Sequence, residues 1–267
     1  MPHSNPRKST SGEVSQLPTP KPLSLGRFER FRPYLRRLGI RRRNIIRLLL
    51  PTIRQDGFVW ATRGVPDTFL AWGTHEDFLE TMVLRDGDIF LDIGAHVGRW
   101  AVRASQYFAT VVAFEPSPMT NAVLRRNIEL NKLSNIKVLQ VALGEQDREE
   151  KLYFYNARGH DSLLGVHPVV DQTPQRSVDV ITRRLDTIVG IHGLHLTKRS
   201  MVKIDTEGYE IQVLEGARQT IVQSHPRLLV EVHGRDNMPR VTSLLNNFGY
   251  PKPAMIDRGG ATYVYAE

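Results

Sequence analysis

The sequence predicts an α/β fold: a mostly parallel, Rossmann-like sheet with helices on both faces and an antiparallel pair of strands at its C-terminal edge. From Ile89 onward, short runs rich in β-branched residues alternate with amphipathic stretches of helical length. The last two candidate strands are separated only by Arg258, Gly259 and Gly260, a spacing typical of a tight reversal. With 267 residues and no internal repeat, the chain is long enough for one sizeable domain plus an appendage.

Each predicted element follows from its own run of residues. Continuous apolar runs are typical of parallel strands buried on both faces, and the amphipathic stretches between them are typical of crossover helices. The predicted parallel strands are 89–93, 111–115, 136–141, 201–205 and 228–232. The predicted helices are 98–107, 118–130, 209–223 and 237–248. The remaining predicted strands are the C-terminal pair, 253–257 with 261–266, and two in the less regular region 144–200, at 152–155 and 177–181.

Charge divides the chain into parts. Residues 1–54 carry 13 Lys and Arg against Glu13 and Glu29, which leaves 23 basic and 26 acidic residues in the rest of the chain. A nucleic-acid enzyme usually carries its basic surface on the folded domain, so this balance argues against nucleic acid as a partner. We therefore predict a disordered tail, a basic helical arm and a folded domain, at 1–26, 27–56 and 57–267.

The basic arm has two interpretations. Phe28, Phe31, Leu35 and Leu38 fall at helical spacing, with arginines around them. One interpretation is peripheral contact of residues 27–54 with an anionic membrane. The other is a helical arm that packs on the domain and leaves its arginines in solvent.

Composition excludes several classes of protein. With no cysteine, the chain has no disulfide scaffold, zinc ribbon, iron–sulfur cluster or cysteine nucleophile. No apolar run approaches the roughly 18 residues that a membrane span needs, and the first thirty residues lack the apolar stretch of a secretion signal. We therefore expect a cytoplasmic protein, with membrane-surface contact through the arm as the alternative.

The motif DIGAHVG, at 92–98, stands where a predicted strand ends and a helix begins. Gly94 and Gly98 allow a tight turn and the close approach of a ligand to the helix N-terminus. A dinucleotide fingerprint needs glycine where this chain has His96, which argues against an NAD-dependent oxidoreductase. Asp92 would repel a pyrophosphate but attract the ammonium and sulfonium groups of S-adenosylmethionine, so the motif predicts a cationic ligand.

The second motif, VVAFEPSP, places Glu115 at the tip of the second strand, 21 residues after Gly94. At this point of a nucleotide-binding α/β unit, a carboxylate accepts hydrogen bonds from the two ribose hydroxyls. The other role open to Glu115 is to cap the helix that begins near Pro118. Its spacing from Asp92 favours ribose binding.

The third motif, MVKIDTEGYE, and the later strand LLVEVH carry ionisable residues within predicted strands. Alternation places Lys203 and Asp205 on one face of the first strand, and Glu231 and His233 on one face of the second. A lysine in a sheet covered on both faces needs a partner, and we predict a Lys203–Glu231 pair across the two strands. Asp205 and His233 then lie at the carboxyl ends of the strands, beside the crevice where open α/β sheets bind ligands.

Together, these residues resemble the FkbM family of S-adenosylmethionine-dependent methyltransferases. The resemblance rests on DIGAHVG, the Glu115 strand end, VALGE, KIDTEGYE with VLEGA, and VEVH, and it covers residues 57–267. It implies a class I methyltransferase sheet and O-methylation of sugar or polyketide-type hydroxyls. It also implies a role for Glu76, in GTHE, as an acidic residue ahead of the glycine motif. The sequence departs from the family pattern at His96, where the family usually has Asn. The predicted cofactor-binding residues are Asp92, Gly94, Ala95, Gly98, Glu115 and Glu76.

We therefore predict an S-adenosylmethionine-dependent O-methyltransferase that acts on a hydroxyl of a sugar, glycolipid or polyketide-type small molecule. The alternative is a catalytically silent protein of the same fold, which its arm docks to a membrane or an acidic partner. The region 144–200 is expected to shape the acceptor pocket.

The predicted catalytic residues are Asp205, His233, Lys203 and Glu231. Asp205 is the nearest base by topology, whereas His233 has the more suitable intrinsic pKa, and the two could act as one unit. A divalent metal held together with Glu207 or Glu231 is a further option. We favour the metal-free mechanism, because no spacing in the sequence dictates a coordination shell.

Overall fold

The computed structural model describes residues 50–62, 77–155, 161–165, 173–258 and 261–267. The predicted tail, the arm as far as residue 49, and Glu76 lie outside these residues. Within them, twelve strands form three sheets, accompanied by seven α-helices. None of the helices in the described ranges is long and apolar enough to cross a membrane.

The strands and helices are short, as is usual in globular domains. The strands are β1 (Thr52–Gln55), β2 (Phe58–Ala61), β3 (Gly87–Ile93), β4 (Phe108–Phe114), β5 (Ile136–Leu139), β6 (Ala142–Leu143), β7 (Arg148–Phe154), β8 (Arg176–Arg183), β9 (Met201–Ile204), β10 (Arg227–Val232), β11 (Ala254–Arg258) and β12 (Ala261–Ala266). The helices are α1 (Asp77–Val83), α2 (Arg99–Ala104), α3 (Pro118–Leu130), α4 (Leu185–His192), α5 (Glu210–Gly216), α6 (Arg218–Ser224) and α7 (Met238–Asn247).

The central sheet has seven strands in the order β11-β12-β10-β9-β3-β4-β5. Its strands β3, β4, β5, β9 and β10 run parallel, whereas β12 pairs antiparallel with both β10 and β11. The chain leaves β3 towards β4 and β5 and returns on the other side at β9, so the strand order reverses between β3 and β9. Open α/β sheets bind ligands at the carboxyl ends of the strands beside such a reversal. The predicted α/β fold and its antiparallel C-terminal edge are thus confirmed.

All five predicted parallel strands and the C-terminal strand pair are present, with ends that differ from the predicted ones by up to three residues. The helix predicted at 209–223 is instead two helices, α5 and α6, separated at Ala217. The sequence gives no clear signal for α1, α4, β6 or the β1–β2 hairpin. These elements are short, and most of them lie ahead of Ile89 or in the less regular region 144–200, outside the alternation of strands and helices on which the prediction rests.

The sheet is buried on both faces. Val202 and Ile204 of β9 pack in one core, together with apolar side chains of α4 to α7. Met201 packs in the other core, with α2 and with Trp60 of the β1–β2 hairpin. Because alternate residues of a strand face opposite sides, Lys203 lies on the same face as Met201.

Two asparagines, Asn127 of α3 and Asn131 directly after this helix, dock the β1–β2 hairpin onto the domain. The Oδ1 atom of Asn127 accepts a hydrogen bond from the N–H of Ala61 at 2.6 Å, and Asn131 exchanges two hydrogen bonds of 2.8 Å with the backbone of Val59. Because the two asparagines are four residues apart at the end of the helix, both side chains reach β2, to which they bond as a neighbouring strand would. The hairpin spans residue 57, so β-structure begins ahead of the predicted start of the domain.

Gly144 and Gly216 allow the end of β6 to touch α5. A Cβ atom added at Gly216 would lie 1.9 Å from the carbonyl oxygen of Gly144, much closer than atoms can approach. The VALGE and VLEGA segments are therefore neighbours in space. Their contact holds the second sheet, with the order β6-β8-β7, against the central domain.

Replacing Gly216 with Ala is expected to destabilise the protein by about 1–3 kcal/mol, because the new methyl group overlaps Gly144. The matched control is Gly190→Ala in α4, where nothing lies within 4 Å of an added Cβ atom. Alanine has the higher helix propensity, so this control is expected to gain up to about 1 kcal/mol. Urea unfolding followed by circular dichroism measures both changes. Equal effects of the two substitutions would contradict the contact between β6 and α5.

Candidate active site

A cleft opens at the carboxyl ends of β3, β4 and β9, beside the reversal of strand order. Its cavity volume is about 80 Å³, and the space counted with its open mouth is about 660 Å³. Leu152, Asp161 and Leu163 form part of its wall. All three belong to the region 144–200, where the sequence predicts the acceptor pocket.

Gly94 is required by a contact within the protein. Its φ is +78°, and an added Cβ atom would lie 1.7 Å from the carbonyl oxygen of Asp205. The N–H of Asp205 donates a hydrogen bond of 3.0 Å to the carbonyl of Ile93, so the loop after β3 lies directly against the end of β9. Gly94 also lines the cleft, as predicted for ligand approach, whereas Ala95 is buried in the core. Gly98 precedes α2 with a φ of +94°.

Glu115 stands directly after β4, with its carboxylate held by the backbone. Its Oε2 atom accepts a hydrogen bond from the N–H of His96 at 2.9 Å, and Oε1 accepts one from the N–H of Ser117 at 2.8 Å. The residue is 7% exposed and lines the cleft. Glu115 therefore supports the turn before α3 and also faces the cleft, whereas its predicted contact with a ribose stays a prediction.

Asp92 lies beneath the cleft. It is completely buried, and its Oδ2 atom accepts a hydrogen bond of 2.9 Å from the N–H of Ala101, in the first turn of α2. Its Oδ1 atom lies 3.7 Å from the ammonium of Lys203. These contacts are internal to the protein, so direct attraction between Asp92 and a cationic ligand stays a prediction.

Lys203 has partners other than the predicted one. Its ammonium lies 3.0 Å from Oδ2 of Asp205 and 3.7 Å from Oδ1 of Asp92. The register of β9 with β10 places Leu229 opposite Lys203, and Glu231 comes two residues later. Lys203 thus contacts Asp205 and Asp92, and its predicted pairing with Glu231 stays a prediction, because alternation gives the face of a side chain but not the strand register.

His233, directly after β10, is surrounded by carboxylates. Its Nδ1 atom lies 3.0 Å from Glu210, and its Nε2 atom lies 3.2 Å from Glu207 and 3.7 Å from Glu231. Burial by itself lowers the pKa of His233, but the hydrogen bond to Glu210 and the charges of Glu207, Asp205 and Glu210 raise it to about 10. The carboxylates in contact with His233 therefore favour its imidazolium form.

The protonation state of His233 bears on which residue could act as the base. An imidazolium has no lone pair with which to take a proton, whereas the other predicted candidate, Asp205, has a side chain that is 22% exposed in the cleft. Donor atoms of Asp205, Glu231 and His233 do lie within 4.8 Å of one another. A metal would first have to displace the proton of His233, and we assign no metal to these residues.

Glu210 is the residue of this site that sequence reasoning missed. It is completely buried at the start of α5 and lies against His233, which is 23 residues further along the chain. In the sequence, Glu210 stands out only as the last acidic residue of KIDTEGYE. An acidic residue in the first turn of a helix is ordinarily explained by its favourable interaction with the helix dipole. The fold alone shows that Glu210 also faces the strand beside it.

Comparison with known proteins identifies methyltransferases. A family model described as "Methyltransferase FkbM domain" matches residues 92–251. "Methyltransferase 1" of Beauveria bassiana is 29% identical over an alignment of 149 residues, and the match covers 49% of this chain and 59% of that protein. The chain thus spans about three fifths of the length of this relative.

Two further matches carry the FkbM name. The "31-O-demethyl-FK506 methyltransferase FkbM" of Streptomyces tacrolimicus is 26% identical over an alignment of 195 residues, and the match covers 62% of this chain and 74% of that protein. Among solved structures, methyltransferase FkbM from Methylobacillus flagellatus has a TM-score of 0.49 and 19% identity, over 72% of this chain and 47% of that chain.

The charge on His233 is expected to make stability depend on pH. Because folding raises its pKa from 6.5 to about 10, the stabilisation from the imidazolium is fully present below about pH 6.5 and is lost as the pH rises towards about 10. The difference in free energy of unfolding between wild type and His233→Gln is therefore expected to be larger at about pH 6 than at about pH 10. Urea unfolding at both pH values measures it. A difference that does not change with pH would argue against the imidazolium.

Proposed function

The chain belongs to the FkbM methyltransferase family, and from this premise we propose that it is an S-adenosylmethionine-dependent O-methyltransferase. The proposed acceptor is a hydroxyl of a sugar, glycolipid or polyketide-type small molecule. The observation that carries the proposal is that one cleft joins two acidic residues from the ends of different strands, Glu115 after β4 and Asp205 after β9.

The residues of the cleft fit the proposed cofactor. A carboxylate accepts up to about four hydrogen bonds, and the backbone orients that of Glu115 at the point where ribose hydroxyls bind in this kind of fold. Phe114, Val141 and Leu143 also line the cleft and offer an apolar surface to adenine. When bound, the cofactor supplies a methyl group attached to a sulfonium. The neutral thioether that remains after the transfer is a good leaving group.

Asp205 is the proposed proton acceptor. Methyl transfer to a hydroxyl requires the oxygen to be aligned and its proton to be removed, and a carboxylate in the cleft can do both through one short hydrogen bond. The ammonium of Lys203 orients this carboxylate from 3.0 Å away. Lys203 is almost fully buried and also lies beside Asp92. We therefore propose that Lys203 and Asp92 position Asp205 and do not contact the acceptor.

Oxygen as the methylated atom has support from one relative. The name of the Streptomyces protein, a 31-O-demethyl-FK506 methyltransferase, describes methylation of an oxygen. The geometry around Asp205 is compatible with the same chemistry here, since a neutral hydroxyl donates a strong hydrogen bond to a carboxylate.

Replacing Glu115 with Ala is expected to weaken binding of S-adenosylmethionine and of its demethylated product. The loss of one charge-assisted hydrogen bond corresponds to a decrease in affinity of about 10- to 150-fold. Isothermal titration calorimetry measures both ligands, and the matched control is Asp179→Ala, which removes an exposed acid of β8. Unchanged affinity in Glu115→Ala, in a protein that unfolds at the wild-type temperature, would refute the cofactor site.

Replacing Asp205 with Asn is expected to lower kcat by about 100-fold or more, with little change in cofactor affinity, because the amide keeps the shape but not the basicity. The assay is release of the demethylated cofactor with a panel of sugar and macrolactone hydroxyls. Asp236→Asn, which changes an exposed acid outside the cleft, is the control. Activity retained by Asp205→Asn would show that Asp205 is not the proton acceptor. Activity lost to EDTA but restored by magnesium would overturn the metal-free mechanism.

A further inference from the structure

Glu210 connects the loop that follows β9 with the end of β10. Its Oε1 atom accepts hydrogen bonds from the N–H groups of Gly208 at 2.8 Å and Thr206 at 3.3 Å. The Nδ1 atom of His233 lies 3.0 Å from the same oxygen. One buried carboxylate oxygen therefore joins two points of the loop to a residue on the neighbouring strand.

The loop needs this support, because part of its backbone has an unfavourable conformation. Glu207 and Gly208 are both left-handed, with φ values of +54° and +104°, and a residue with a side chain rarely adopts this conformation. Asp205, Thr206 and Glu207 all line the cleft. The shape of the loop thus decides where the proposed proton acceptor stands.

The loop itself does not require a negative charge at residue 210. Backbone N–H groups also bond to a neutral amide oxygen, whereas a buried carboxylate is costly unless a positive charge compensates it. The other oxygen of Glu210, Oε2, is buried and has no hydrogen-bond partner in the part of the chain that the structure describes. A negative charge at Glu210 would therefore be compensated by His233, which lies 3.0 Å away, and not by the loop.

His233 meets charged groups from each element packed around it. These groups are Glu231 of β10, Asp205 and Glu207 of the loop after β9, and Glu210 of α5, while Lys203 of β9 contacts Asp205. A charged imidazole at this point attracts the carboxylates on both of its sides, whereas a neutral one would leave them to repel one another.

We propose that Glu210 is a positioning residue of the active site, which acts through His233 to hold Glu207 and Glu231 beside Asp205 and so keeps the acceptor side of the cleft in shape. Glu210 is completely buried, so it acts through the imidazole and not on the substrate. This inference rests on the proposed methyl transfer, because it takes Asp205 as the proton acceptor.

The titration of His233 tests the inference without any acceptor. NMR follows the ring protons of the full-length protein from about pH 6 to about pH 11, and loss of a signal in His233→Gln assigns it. We expect the wild type to titrate above about pH 9 and Glu210→Gln to titrate at least about one pH unit lower, since an opposite charge in contact shifts a pKa by roughly 1–3 units. The control Glu215→Gln changes a partly exposed acid of the same helix, which pairs with Arg218, and should titrate as wild type.

Two results of this titration would overturn the inference: a wild-type His233 that titrates below about pH 8, or an unchanged titration in Glu210→Gln. Circular dichroism shows whether Glu210→Gln has folded. If it has not, the titration of the wild-type protein decides the question.

The pH profile of methyl transfer is the second measurement, with the best acceptor from the panel. In Glu210→Gln, turnover is expected to fall as the pH rises through the lowered pKa of His233, and to return to within about threefold of wild type below it, because acid restores the imidazolium. A residue with a merely structural role would lower turnover by the same factor at every pH, and that result would overturn the inference. If the wild type methylates no acceptor, the proposed function fails, whereas the titration of His233 still decides this inference.

Discussion

A single buried ammonium group, that of Lys203, holds together the parts on which the cleft depends. It lies on the central strand β9, 3.0 Å from Asp205 and 3.7 Å from Asp92. Asp92 in turn accepts a hydrogen bond from the first turn of α2, whereas Asp205 lines the cleft. Removing one partner from a buried ion pair leaves a charge without compensation, which is strongly destabilising. The strand, the helix and the wall of the cleft are therefore coupled through one cation.

Close contacts between backbones set the shape of the cleft around this cation. Gly94 lies against the carbonyl of Asp205, and Gly216 lies against the carbonyl of Gly144. A side chain at Gly94 would separate the glycine loop from the end of β9, and one at Gly216 would separate α5 from the smaller sheet. The glycines that carry much of the family resemblance therefore serve contacts within the protein as well as any approach of a ligand.

Electrostatics differ between the two sides of the cleft. On one side, backbone N–H groups hold Glu115. On the other, Lys203 and His233 lie among Asp205, Glu207 and the buried Glu210. This division suits the proposed reaction, because a ribose requires fixed hydrogen-bond acceptors, whereas proton removal requires a carboxylate whose position is controlled by neighbouring charges.

The sequence by itself determined the parallel strands, the antiparallel edge, and the positions of the glycine loop and Glu115, because these depend on local periodicity and on distance along the chain. Only the tertiary structure decided the partners of Lys203 and the charge of His233. Alternation predicts the face of a side chain, but the register of β9 with β10 places Leu229, not Glu231, opposite Lys203. The pKa of His233 depends on Glu207 and Glu210, which belong to a different loop and helix and come within hydrogen-bond distance only when the chain folds.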